Sequence, residues 1–365
     1  MTGFTEWQAG DFTAWQRSGS ALNPVGELEL DFGTAVTQAD PYPVGGYYGG
    51  NFYNGASYQV GEMTSPEFPA EFDFSELIVS WNAATPPGTW VEILARVTVN
   101  SRQTKWYNLG VWASDMETIQ RHSVKIQGDQ DGYVAVDTLV LTDKKAVTEA
   151  YQLKVRLFST DGISTPSLRY LSAAYSIAAP KKISASQGNP AKWGTLLEVP
   201  ECSQMVYPDG GNVWCSPTSV SMVIGFLEQD SDPCESRVRA AVEGVFDWIY
   251  DGHGNWVFNT AYAATHGFTA SVRRFASLDE VEPWIAKGIP VVFSFAWSKG
   301  DLTGAAIDSS NGHLAVIVGF DAQGNPIVND PAAAINEDVQ RTYNRAELEA
   351  VWLTNSGGTV YIIER

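Results

Sequence analysis

The apolar positions of the first half fall in short runs that read as strands. Residues 77–81, 90–97 and 151–158 are rich in β-branched and aromatic side chains and alternate in part with polar ones. Pro86-Pro87-Gly88 and Asp161-Gly162 supply turns around them, no helical period persists, and no segment repeats. This spacing predicts an all-β sandwich or jelly-roll-like domain over residues 1–179. The pattern breaks in residues 180–195, whose first part (180–190) is proline-bounded, small and polar and predicts a linker. Beyond it the period changes. Val220, Val223, Ile224 and Leu227 mark one helix face, and residues 278–287 predict a second helix stopped at Gly288. Residues 291–295 and 313–318 are continuous apolar runs of the buried-strand kind. Residues 196–365 are therefore expected to form an α+β domain, and the chain to be multidomain.

Length and charge narrow the function. A chain of 365 residues can bury two cores, and its apolar share of 44% is that of a globular protein. No apolar run is long enough for a membrane span. The balance of 23 basic to 42 acidic residues gives −19, a surface that repels phosphate backbones, so nucleic acid is not an expected partner. Residues 1–10, which include Glu6 and Gln8, show no basic-then-apolar signal peptide. The three cysteines exclude a disulfide-dense scaffold, and they lack metal-ligand spacing, so no metal is expected. A Cys202–Cys234 bridge is one option and would leave Cys215 free.

That cysteine sits in chemically suggestive surroundings. In Trp214-Cys215-Ser216-Pro217-Thr218-Ser219, Pro217 suits the first turn of a helix. Cys215 then lies at the helix start, facing its positive end, which favours the thiolate. A lone cysteine there is more often a small buried residue. Asn311-Gly312-His313 opens one strand, however, and Asn329-Asp330-Pro331 closes the next, with residues 321–324 as the turn. A hairpin with Phe320 opposite Asn325 puts Asp330 on the face of His313, whereas a one-residue shift presents Asn329. A nucleophile, a base and a group to orient the base are what thiol catalysis needs. In residues 250–263, Asn255 and Trp256 are candidates to line a substrate cleft; a glycine-rich turn packed by aromatics is the equal alternative. His253 competes weakly with His313, and His122 and His266 are expected to be structural. Trp81, Trp90, Trp106 and Trp112, with Tyr42, Tyr47, Tyr48 and Tyr53, could stack on sugars but fit core packing better.

Gln204, Cys215-Ser216-Pro217-Thr218-Ser219, Gly312-His313-Leu314 and Asn329-Asp330-Pro331 together resemble the bacteriocin-processing (double-glycine leader) peptidases and their stand-alone two-domain bacterial relatives. The resemblance implies a papain-like cysteine peptidase domain with Cys215 as nucleophile, His313 as base and Asp330 as third member. It implies that the Gln204 amide stabilises the oxyanion, with Asn212 as its substitute. Trp214 stands where relatives carry a small residue, and so is expected to shape the substrate cleft. No cofactor is implied. The expected substrate is a peptide or peptide-like amide, with cell-wall amides among the candidates, cleaved through a thioester. Family likeness suggests an extracytoplasmic place; the signal-free start suggests the cytoplasm. Two rivals stand beside this reading: a peptide- or carbohydrate-binding protein whose papain-like half is inactive, and an amidase or transferase using the same thiol.

Overall fold

The structure, a computed structural model, describes residues 1–40, 56–179, 181–231 and 233–365. Tyr42, Tyr47, Tyr48, Tyr53 and Pro180 lie outside the described residues. The chain divides into two compact units. One comprises Gly3–Ile177 with Phe246–Thr265; the other comprises Met1–Thr2, Ala178–Val245 and His266–Arg365. Among the described residues no helix is long and apolar enough to cross a membrane.

The first unit is mostly β. Its two antiparallel sheets have seven and eight strands among the described residues. Glu76–Ala84 pairs with Ser167–Ser176 in one, and Thr89–Val99 with Thr148–Ser159 in the other. The Pro86-Pro87-Gly88 turn carries the chain from the first sheet to the second, closed by a 3.0 Å bond from the Thr89 N–H to the Pro86 carbonyl. Gly88 sits there at φ 83°, in the region that favours glycine. Rings from the two sheets meet, as with Tyr151 and Tyr175 at 5.7 Å, which makes the unit a sandwich. Trp81, Trp90 and Trp112 are fully buried, so their faces are spent on packing; Trp106 is half-buried beneath Arg96 and Lys154.

A segment far along the chain completes this unit. Of the helices α1 (Cys215–Glu228), α2 (Cys234–Val245), α3 (Trp256–Thr265), α4 (Glu282–Ala286) and α5 (Arg345–Ser356), α3 belongs with the sandwich. Phe258 of α3 packs against Trp81 and Trp112 at 6.1 and 5.4 Å. Glycine at 110 makes this approach feasible, since a Cβ there would lie 3.0 Å from Trp81 and 3.1 Å from Phe258. Asp247 is fully buried and accepts the N–H groups of Ser123, Ile249 and Tyr250. Asp137 accepts the Trp256 N–H at 2.6 Å and so caps α3.

The second unit mixes helices with one six-stranded antiparallel sheet. Its order is Thr269–Arg274, Thr359–Glu364, Val291–Trp297, Ser310–Phe320, Pro326–Asn329, Gln340–Thr342. Phe293, Ile317, Trp352, Val360 and Ile362 form part of its core. α1 is buried on nearly every side, and the Ser219 hydroxyl bonds the Leu314 carbonyl of the fourth strand in that order, Ser310–Phe320, at 3.2 Å. Where one helix was expected over 278–287, a 3-10 turn (Leu278–Glu280) precedes the short α4. Pro283 has no N–H to offer the Asp279 carbonyl, so the preceding turn closes tightly. The stretch expected as a linker is partly pinned to this unit. The Ser186 and Asn189 N–H groups donate to the buried Glu349 and Glu282 at 2.6 and 2.8 Å, and the Trp193 indole N–H donates to Glu282 at 2.8 Å.

Candidate active site

His313 and Asp330 come together through a hairpin whose register is irregular. Phe320 stands opposite Pro326 and Gly319 opposite Ile327, one step from the register expected with Phe320 facing Asn325. Carried unbroken to the strand end, that pairing would set Asp330 on the face opposite His313. A bulge between Ile317 and Gly319 restores the phase, so that Ile317 faces Val328 and Val316 faces Asn329. Residues 194–197 lie along the bulge. The Leu197 N–H donates to the Val318 carbonyl at 2.8 Å, and the Phe320 N–H donates to the Thr195 carbonyl at 3.0 Å.

The result is a short, buried contact. His313 Nε2–H donates to Asp330 Oδ1 at 2.7 Å, and His313 is 3% and Asp330 0% exposed. The same Oδ1 accepts the Ala332 N–H at 2.9 Å, and Oδ2 accepts the Tyr343 hydroxyl at 2.6 Å. Burial alone would push the Asp330 carboxyl up, but the His313 charge and these donors outweigh it and hold it below the usual range. Burial alone would likewise lower His313. Asp330 and Cys215 outweigh that too, and His313 is raised to about 10. Phe295 and Trp297 contact the imidazole edge-on at 5.2 and 5.6 Å and fix its plane.

Cys215 is the first residue of α1, half-buried, and its side chain interacts with His313. With Nε2 committed to Asp330, Nδ1 is the ring nitrogen left to face the thiol. Trp214, the N-cap, gives no side-chain cap, so it does not compete for the first-turn N–H groups beside Cys215. The other two cysteines form a disulfide, Cys202–Cys234, which leaves Cys215 as the one free thiol. The bridge anchors the start of α2 to the stretch that leads into Gln204.

Gln204 lies at 3% exposure in a 3-10 turn. Its N–H donates to the Pro331 carbonyl at 2.8 Å, tying it to the loop after Asp330. One side-chain N–H donates to the Gly211 carbonyl at 2.6 Å, while Oε1 has no hydrogen-bond partner among the described residues. The second amide N–H is uncommitted. Asn212 points to solvent. Trp214 is buried against Tyr207 with rings 5.7 Å apart, so it offers little surface to a substrate.

Asn255 and Trp256 belong to the other unit. Asn255 is fully buried, its amide donating to Asp247 at 2.8 Å and its oxygen accepting the Phe258 N–H at 3.1 Å, so it presents no surface to a peptide backbone. His253 is in that unit as well, with burial lowering its pKa. Burial takes His122 down to about 3, and His266 bonds Glu228 at 3.0 Å. Tyr343, Phe295 and Trp297 were not singled out by sequence. The aromatic pair lies at the end of a strand already expected, where alternation puts 295 and 297 on one face. Nothing local marks Tyr343.

Residues 3–176 match the family model of the peptidase C39 N-terminal domain, and residues 196–360 match that of the Peptidase_C39 like family. The chain belongs to this family of two-domain C39 peptidases, and its C-terminal half takes its papain-like assignment from that membership. Among solved structures it is similar to a C39-like peptidase candidate from Bacillus anthracis, at 18% identity and TM-score 0.35, covering 47% of this chain and 98% of that one. It is also similar to a family two carbohydrate esterase from Cellvibrio japonicus, at 12% identity and TM-score 0.22, covering 62% of this chain and 50% of that one. Likenesses at such scores carry no weight for function. No curated protein matches the chain.

Proposed function

We propose that this protein is a cysteine peptidase or amidase that hydrolyses a peptide-like bond through a Cys215–His313–Asp330 triad. The observation that carries the reading is the buried 2.7 Å His313–Asp330 bond on an imidazole whose other partner is a free thiol at a helix start. Membership of a peptidase family supports it.

The chemistry follows from that geometry. With His313 raised to about 10, the imidazolium form is the resting one at neutral pH, which suits a thiolate–imidazolium pair. Cys215 Sγ attacks the carbonyl carbon, and the negative charge moves to the carbonyl oxygen. The free N–H of the Gln204 amide and the first-turn N–H groups of α1 are the donors to receive it. As the C–N bond breaks, His313 Nδ1 gives its proton to the departing amine, leaving a thioester on Cys215. His313 then takes a proton from water, whose oxygen attacks the thioester carbon, and the thiolate leaves as the acid forms. Asp330 stays ionised throughout and holds Nε2–H, which keeps Nδ1 aimed at the sulfur.

The test is profiling with a peptide library beside Cys215→Ala. Cleavage that disappears in the variant supports the hydrolase; a Cys215 inert to iodoacetamide near neutral pH, with no cleavage, supports a binding protein with an inactive papain-like half.

A further inference from the structure

We propose that Tyr343 is a positioning residue of this site, whose hydroxyl keeps Asp330 charged and aimed and thereby sets how tightly His313 holds its proton. The proposal rests on the hydrolase reading above and adds a fourth member to its chain of hydrogen bonds. Tyr343 is fully buried, directly after the edge strand Gln340–Thr342 and before α5, and its N–H bonds the Pro326 carbonyl at 3.1 Å. Its ring is thus held by the strand that leads to Asp330. An ionised carboxylate can only accept, so the phenolic proton goes to Asp330 Oδ2, at 2.6 Å.

The consequence is electrostatic. A buried carboxylate that gave all its charge to His313 would bind the imidazolium proton too strongly to release it, or would pick up a proton itself. Tyr343 and the Ala332 N–H take part of that charge. The charged groups facing this network are Cys215 and Asp330 around His313, and Arg341 beside Tyr343. Burial first, then the Asp330 charge, raises the Tyr343 phenol above its ordinary range, so it remains a donor across the working pH range.

Tyr343→Phe removes one O–H and keeps the ring. Turnover on a cleaved peptide should fall roughly tenfold with KM little changed. Both limbs of the pH profile for Cys215 alkylation should move to higher pH, because Asp330 becomes harder to ionise and then holds His313 more tightly. The His313 Nε2–H resonance should move downfield. A role in packing alone would lower the melting temperature and move neither limb nor resonance, and that result overturns the proposal. If Tyr343→Phe does not fold, 3-fluorotyrosine at 343, a more acidic donor, should shift the limbs the opposite way; unmoved limbs overturn it equally. The nuclear resonance of His313 needs no turnover. An inert wild-type Cys215 would therefore sink the hydrolase reading while still leaving the Tyr343–Asp330 coupling measurable.

Discussion

Replacing Asp330 tests the site at the point where structure and chemistry are most tightly bound. In Asp330→Ala the fully buried His313 loses its 2.7 Å partner, and Tyr343 and the Ala332 N–H each lose an acceptor. Removing one member of a buried ion pair costs about 3–5 kcal/mol. The pH dependence has a definite sign. A histidine raised to about 10 contributes stability that is complete below the unfolded value of about 6.5 and fades as pH climbs toward 10. The lowered Asp330 contributes above its unfolded value of about 3.9, and that part is lost as pH falls through its depressed folded value. The stability gap between wild type and Asp330→Ala should therefore be widest from about pH 4 to 6.5 and close toward pH 10. Urea unfolding across that range reads the gap. Nuclear resonance should show His313 falling from about 10 toward the ordinary imidazole value, since burial then acts with only Cys215 opposing it. Asp330→Asn keeps an acceptor oxygen and should lose less activity than the alanine variant. A gap that does not vary with pH would refute the reasoning. So would a folded Asn329→Ala that is inactive beside an active Asp330→Ala. The Asn329 amide bonds the Val199 and Pro200 carbonyls, at 3.1 and 3.3 Å, and does not serve the imidazole.

Three further outcomes are expected. A fragment of residues 1–179 should fail to unfold cooperatively and should show red-shifted tryptophan emission, because α3 and its Phe258 are missing from the sandwich core; a sharp transition with buried emission would count against it. In the whole chain, Phe258→Ala should cost about 3–5 kcal/mol in the unfolding of that unit. Gly319→Ala should destabilise the second unit by about 1–3 kcal/mol, since its Cβ would stand 2.4 Å from the Thr195 carbonyl oxygen; an unchanged thermal transition would show that the 194–197 segment can move aside.

Much of the site could be read without coordinates because its parts are local. Pro217 marks a helix start and so places Cys215. The apolar run after His313 marks a strand, and Asp321 marks the turn, its carboxylate accepting the Gln323 and Asn325 N–H groups at 2.8 Å each. What could not be read depends on contacts distant in sequence. Residues 250–263 look like cleft material because they are rich in aromatic and amide groups. Those groups serve a different purpose: Asn255 caps α3 and Phe258 fills a space left by Gly110, some 150 positions earlier. No periodicity reports that pairing. Tyr343 is hidden for another reason: it lies 13 positions beyond Asp330, just past the three-residue strand Gln340–Thr342, which is too short to show a period.

The hairpin shows how a correct expectation can rest on an incomplete account. Counting alternation from Phe320 opposite Asn325 puts Asp330 on the His313 face. The true turn is longer by a residue, and alone it would have put Asp330 on the other face. The bulge at Val318 cancels that error. Its carbonyl is taken by the Leu197 N–H, while Gly319 lets the Thr195 backbone approach closer than any side chain would allow. The stretch that leads from the end of the supposed linker into the second unit is thus part of what sets the strand's phase. Asp330 reaches His313 because residues 194–197, more than a hundred positions before either, hold a single irregular residue in place.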